Sequence, residues 1–429
     1  MGRLPPNSIN LNVRGLSQSA TIAINDRSNA LRAEGRTIFK LGLGQSPFPV
    51  PRPVVEALRA NAHQKDYLPV KGLPQLRQAI AAHYSELAKV ERTAEDVMIG
   101  PGSKELMFLL QLVFYGDLVI PSPSWVSYAP QAQIIGRRVR YVQTHRDDGW
   151  CLRADRFAEL FGEDPERPTL VILNYPNNPT GYTYELDELK QLASVAREHG
   201  VLLLSDEIYG QLHHQGAHQS IAQFYPEGTI ISSGLSKWCG AGGWRLGTFI
   251  FPAELRWLLD AMAVAASETF TSTAAPIQWA AVAAYQPDPE IKTYLTNSRR
   301  ILRALGRWLA GRLRQVGVLC ADPDGAFYAF VDFSNLRPQL ALRGVTDSAS
   351  LCNLLLDQAG VAMLPGADFG RPPEELTLRL AYVDFEGQQA LDAVEALDPD
   401  AELSEAFLRQ YCGRVLEAID RVADWVERG

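Results

Sequence analysis

The stretch "TLVILNYPNNPTGYTYELDELKQLASVAREHGVLLLSDEIYG", residues 169–210, decides how the chain reads. It opens on an apolar run, 169–174, and closes on another, 201–206. Neither run alternates with polar residues. A strand apolar on both faces is covered on both faces, which is the mark of a parallel sheet between helices. Between the runs, 185–200 carries apolar residues at helical spacing among charges, so the unit is strand, helix, parallel strand. Working outward, five more short apolar runs appear: "DVMIG" (96–100), "DLVIP" (117–121), "RVRYV" (138–142), "TIISS" (229–233) and "GTFIF" (247–251). Helical patterns at 104–114 and 253–266 lie among them. The expected fold is α/β, with a large domain built on a mostly parallel seven-stranded sheet between helices.

After residue 285 the pattern changes. A long helical stretch, 290–318, leads into a shorter α+β region with the strands "GAFYAFVDF" (325–333) and "LTLRLAYVDF" (376–385). It ends in an amphipathic helix, 404–427, which the sequence gives no role beyond packing or supporting a dimer. The expected division is a segment 1–51 that joins the small domain, a large domain 52–300 and a small domain 301–429. The first fifty residues contain no strand pattern to feed the central sheet.

A chain of 429 residues exceeds one core, consistent with two domains. Its net charge of -8 argues against a broad nucleic-acid footprint, which needs a basic face. The longest apolar run, around 106–115, is too short to span a bilayer. The opening "MGRLPPNSIN" lacks the apolar core of a signal peptide, and Pro6 stands where a myristoylation signal needs Ser or Thr. Cys151, Cys239, Cys320, Cys352 and Cys412 are scattered without paired spacing, as in a cytoplasmic protein with reduced thiols. The histidines show no zinc spacing, and His213–His214 reads as a polar loop pair, so no metal is expected.

In such sheets, function gathers in loops beyond the strand ends. "IGPGSKEL" (99–106) is a strand, two glycines and a helix start, whose free N–H groups make an anion site. Glycine turns before helices are also common as plain structure. "LNYPNNPTG" (173–181) is a rigid turn in which Asn178 offers a donor and an acceptor. "LLLSDEIYG" (202–210) places Asp206 and Tyr209 at the end of an apolar strand, where a carboxylate needs a partner unless it caps a helix. "SSGLSKWCGAGGWRLG" (232–247) holds a lone lysine, Lys237, among small residues, with Arg245 beyond it. Together these groups match one ligand. A lysine in a restricted pocket forms a Schiff base with an aldehyde, and an arginine with a helix start holds a phosphate. A buried aspartate keeps a pyridine nitrogen protonated, and that set is what pyridoxal phosphate requires.

With "NYPNNPTG", "SDEIYG" and "SKWCGAGGWRLG" in that order, and "SATIAI", "LGLGQSPFPVP", "YLPVKGLPQLRQAI" and "LRLAY" around them, the chain resembles the class I aminotransferases of fold type I. These belong to the pyridoxal-phosphate superfamily that includes aspartate aminotransferase. The resemblance implies that Lys237 carries the cofactor and that Asp206 partners its ring nitrogen. Tyr209 and Asn178 would hold the ring hydroxyl oxygen, and Trp125 would stack on the ring. Ser103, Lys104, Ser236 and Arg245 would bind the phosphate. Arg379 would grip the substrate α-carboxylate, with Gly44, Asn178 and Trp125 beside it. Tyr67 resembles a tyrosine that reaches a partner subunit's phosphate, which implies a homodimer with composite sites. The run after Lys237, "WCGAGG", departs from the family's usual "aMtG", and Gly234 stands where many relatives carry serine.

The implied reaction is amino-group transfer between an amino acid and a 2-oxo acid in a ping-pong sequence, within amino-acid metabolism. The freed Lys237 amine would move the proton between the substrate Cα and the cofactor. The same apparatus serves a β-lyase or another α-carbon elimination, because the shared step is Cα deprotonation. A non-catalytic regulator that binds the cofactor is a third reading, and such regulators often carry a basic DNA-binding segment that is not evident before residue 40. For the substrate, 267–276 contains no arginine, and Phe270 lies nearest the place where dicarboxylate-specific relatives supply one. Apolar or aromatic side chains are therefore expected to be tolerated.

Overall fold

The structure, a computed structural model, describes residues 9–16, 18–161 and 167–428. The first eight residues, on which the reading of the leader and of Pro6 rests, lie outside the described residues.

All seven apolar runs are strands of one sheet: β1 (Val97–Gly100), β2 (Asp117–Ser122), β3 (Val139–Gln143), β4 (Thr169–Asn174), β5 (Leu202–Asp206), β6 (Thr229–Gly234) and β7 (Gly247–Ile250). Their order is β1-β7-β6-β5-β4-β2-β3. Strand β7 runs antiparallel to β1 and β6, and the remaining pairs are parallel. The continuous apolar runs follow from packing on both faces. Ile172 and Leu204 join one core with Leu106, Leu110, Leu258 and Met262 of the helices Ser103–Val113 and Arg256–Ser267. Their neighbours Val171, Leu173 and Leu203 join another with Leu189, Leu192 and Ala196 of the helix Leu186–Glu198. That helix starts at a capping box between Glu185 and Glu188.

Beyond the sheet, the helix Pro289–Gln315 is capped by Asp288, whose side chain accepts from the N–H groups of Glu290 and Ile291 at 2.8 and 3.1 Å. It runs unbroken through residue 300. A second sheet holds β8 (Tyr328–Asp332), β9 (Leu364–Pro365) and β10 (Thr377–Ala381), antiparallel in the order β9-β10-β8. Phe39–Lys40 pairs in parallel with Val361–Ala362. The C-terminal helix Gly413–Glu427 buries Val415, Leu416, Ile419, Val422 and Ala423 in the same core as Leu305 and Leu309 of the long helix. The tail therefore packs within its own subunit.

Candidate active site

The parallel strands end along one edge, and register sets three polar residues side by side there. Asn174 of β4 stands opposite Asp206 of β5, and Asp206 opposite Ser232 of β6. A cleft of about 310 Å³ opens above this row. Of the residues singled out in the sequence, Gly44, Ser103, Lys104, Trp125, Asn178, Asp206, Tyr209, Ser236, Lys237, Arg245 and Arg379 all line it. Tyr67 does not; it is 91% exposed on the surface of this subunit.

Lys237 follows β6 and is half-buried. Its Nζ donates to the Gly44 carbonyl at 2.8 Å and lies 5.7 Å from the centre of the Tyr209 ring. Burial, with Arg379 adding to it, lowers its pKa to about 8, so a useful fraction of the amine is neutral near physiological pH. Asp206 is 3% exposed. It is not a helix cap: Tyr128 Oη donates to its Oδ2 at 2.6 Å, and Ser232 Oγ to its Oδ1 at 3.3 Å. Burial raises its pKa to about 6, while the Tyr128 and Ser232 hydrogen bonds pull it back.

The opposite end of the cleft is cationic. Gly102, at φ +96°, turns the chain into the helix Ser103–Val113, and a Cβ there would collide with Arg245 Nη2. Glycine thus lets the guanidinium approach the helix N-terminus, where unpaired N–H groups attract anions. Arg245 donates to the Gly242 and Pro101 carbonyls at 3.0 and 3.4 Å. Lys104 Nζ lies 5.0 Å from the centre of the Trp125 ring, and burial lowers its pKa, with Arg245 adding repulsion. Ser236 completes this end.

Arg379, on β10, is 1% exposed. Its Nη1 donates to Asn178 Oδ1 at 3.3 Å and its Nη2 to the Gly42 carbonyl, and its Nε has no partner among the described residues. The rings of Tyr328 and Phe369 flank it, centres 4.8 and 5.2 Å away. Burial lowers its pKa.

Sequence reasoning missed several lining groups. Tyr128 lies three residues past Trp125, yet its contact with Asp206 needs the fold. Tyr328 shares a 2.8 Å hydrogen bond with Tyr209 Oη. Asn174 ties the site together: its Oδ1 accepts from Asn178 N at 2.7 Å and its Nδ2 donates to the Asp206 carbonyl at 2.8 Å. Its place in "NYPNNPTG" was the available signal. Ser19, Thr21 and Ile22, at the start of the helix Ala20–Ala33, form one wall.

Among the described residues, Lys104, Asp206, Lys237, Arg245 and Arg379 form no ion pair with the protein's own side chains. Asp206 and Arg379 are buried and Lys237 half-buried, while Lys104 and Arg245 are exposed at the cleft's cationic end. Charges gathered around one cleft without counter-ions belong where a ligand supplies them.

Comparison with known proteins agrees with that chemistry. A family model described as "Aminotransferase class I and II" matches residues 36–397. The chain is 33% identical to the aspartate aminotransferase of Geobacillus stearothermophilus over 393 residues, covering 89% of this chain and 95% of that one. It is 32% identical to the aspartate/prephenate aminotransferase of Thermus thermophilus, covering 83% and 90%. The structure of Thermus thermophilus aspartate aminotransferase with maleate superposes with a TM-score of 0.83 at 28% identity, covering 97% of this chain and 99% of that one. With most of its length matched and the charged cleft at the same sheet edge that the family's motifs mark, the chain belongs to the class I and II aminotransferases.

Proposed function

We propose that this aminotransferase holds pyridoxal phosphate in the cleft, on Lys237, and exchanges amino groups between an amino acid and a 2-oxo acid there. The observation that carries the reading is the set of charged side chains without counter-ions around one cavity, disposed to meet three ligand groups. Asp206 suits a protonated ring nitrogen, Lys104 and Arg245 at the helix start suit a phosphate, and Arg379 suits an α-carboxylate. When bound, pyridoxal phosphate supplies an electron sink conjugated to the substrate Cα.

The chain's own residues do the rest. Asp206, charged above about pH 6, keeps the ring nitrogen protonated. Tyr209 and Asn178 hold the ring oxygen, and Trp125 covers the ring face. Ser103 and Ser236 add hydrogen bonds to the phosphate end. Arg379 fixes the carboxylate by two parallel N–H donors, with Gly44 closing over it. Lys237, once an incoming amino group has displaced its amine, would take the proton from Cα and return it at the cofactor's C4′, a task its lowered pKa suits. Ser19, Thr21 and Ile22 narrow the mouth against water.

Several further points belong to the same proposal. The functional unit is a homodimer in which Tyr67 reaches the partner subunit's phosphate site. The chain divides into 1–51 with the small domain, 52–300 and 301–429. It works in the cytoplasm, where its five buried, unbonded cysteines stay reduced. Aspartate, the substrate named for several relatives, is one candidate, and the lack of arginine in 267–276 leaves room for apolar and aromatic amino acids.

The test is chemical. Protein incubated with pyridoxal phosphate and reduced with borohydride should carry the added mass on the peptide containing Lys237. Lys237→Ala should carry none, remain folded and lose nearly all turnover. Label on another lysine, with near-normal turnover in that variant, sinks the reading.

A further inference from the structure

Directly behind Asp206, on the face of the sheet away from the cleft, lies a buried polar cluster that the reaction does not use. Glu207 is the next residue along the chain, and its side chain is buried. Its Oε1 accepts from Ser205 Oγ at 2.7 Å and Ser220 Oγ at 2.5 Å, and its Oε2 lies 2.9 Å from His218 Nε2. Ser205 Oγ is 3.0 Å from Tyr175 Oη, which accepts from the Ile221 N–H at 2.8 Å. The carboxylate is thus clamped from strand β5 on one side and from the loop 218–220 on the other.

That clamp bears on the site through the backbone. Glu207 N donates to the Ser232 carbonyl, extending the β5–β6 ladder one step past Asp206. The Glu207 carbonyl accepts from Gly210 N, closing the turn that carries Tyr209. His218 backs the same turn: a Cβ at Gly210 would lie 2.8 Å from His218 Cδ2. One imidazole therefore touches the residue after Asp206 and the residue after Tyr209. A buried carboxylate is no gain in stability over a well-packed apolar side chain, so packing alone does not account for it. Its negative charge also adds to the upward push on Asp206. The other titratable groups against the pair are Tyr175, Tyr84 and His213.

We propose that His218 is a positioning residue for the reaction: by holding Glu207 and backing Gly210 it aims Asp206 and Tyr209 at the cofactor. The inference rests on the reading that pyridoxal phosphate sits in the cleft. Only the imidazole Nε2–H serves this role, because Nε2 faces the carboxylate and Nδ1 has no partner among the described residues.

The test compares the parent with His218→Ala, His218→Gln and Ser220→Ala, each loaded with pyridoxal phosphate and checked by borohydride reduction for attachment at Lys237. The readouts are the pH midpoint of the bound cofactor's absorbance change and the split between kcat and KM. In His218→Ala the midpoint should move by roughly half a unit or more. Its kcat should fall by about 10- to 100-fold, as for small misplacements, with KM within about threefold because Arg379 is untouched. His218→Gln, whose amide N–H can still meet Glu207, should recover part of both. A loaded His218→Ala with midpoint and kcat within about twofold of the parent overturns the proposal. Should His218→Ala fail to fold, Ser220→Ala decides: it removes one donor to Glu207, so its midpoint should shift in the same direction, and an unmoved midpoint overturns the proposal. If the parent itself takes no cofactor at Lys237, the reading of the cleft falls and this inference with it.

Discussion

Asp206 carries a stability burden that its proposed role as partner of a ring nitrogen would explain. Burial raises its pKa from the ordinary 3.8 to about 6. The folded state therefore binds its proton more tightly than the unfolded state. The penalty is absent below pH 3.8, grows as pH rises through about 6 and is full above it, where it reaches about 3 kcal/mol as an upper figure. Asp206→Asn should accordingly raise the melting temperature of the cofactor-free protein at pH 7 and leave it little changed at pH 4. The loaded variant should deprotonate substrate far more slowly, because nothing holds the ring-nitrogen proton. Equal melting temperatures at pH 7, or equal single-turnover rates, would contradict this assignment. Asp206 and Lys237 were legible in the sequence because each breaks a local pattern, a charge at an apolar strand end and a lysine among small residues. Tyr128 and Tyr328 were not, because their partners, Asp206 and Tyr209, lie 78 and 119 residues away along the chain. Only the tertiary approach brings them to the cleft.

In the proposed reading, cofactor affinity is set at the junction of β1 and the helix Ser103–Val113. Gly102 serves two needs there, a left-handed φ of +96° and room for Arg245. Gly102→Ala should strain the turn and push the guanidinium aside. Pyridoxal phosphate binding, followed by equilibrium dialysis, should weaken by about tenfold or more while the fold is retained. Unchanged affinity would show that the helix start does not hold the phosphate. The seven large-sheet strands were readable because adjacent residues, such as Val171 and Ile172, face two different cores, which leaves an unbroken apolar run. Phe39–Lys40 and Leu364–Pro365 were not, since two residues show no period, and their pairing is set by what lies beside them.

For the whole molecule, the exposed apolar side chains point to assembly. Tyr67, Tyr115, Trp257 and Val264 stand far out in solvent on this subunit. Trp257 and Val264 share the helix Arg256–Ser267. The proposed homodimer would cover some of these side chains, with each contact used twice about the two-fold axis. Subunit exchange between Tyr67→Phe and Lys237→Ala tests the shared site. The lysine-bearing site of the heterodimer then receives an intact Tyr67 from its partner. Its cofactor affinity should return towards that of the parent; affinity as weak as in the Tyr67→Phe homodimer, or an active monomer in sedimentation, would refute the composite site. The pairing of Phe39–Lys40 with Val361–Ala362 reaches further still. At about 5–20 residues per second, on the order of tens of seconds separate the emergence of Phe39 from that of Val361. The entire seven-stranded sheet can assemble in that interval, while Ile38, Phe39 and Leu41, fully buried in the finished protein, remain uncovered. The 38–41 segment is therefore made long before the strand it pairs with, and a nascent chain stalled before residue 361 should present that segment to a holding chaperone.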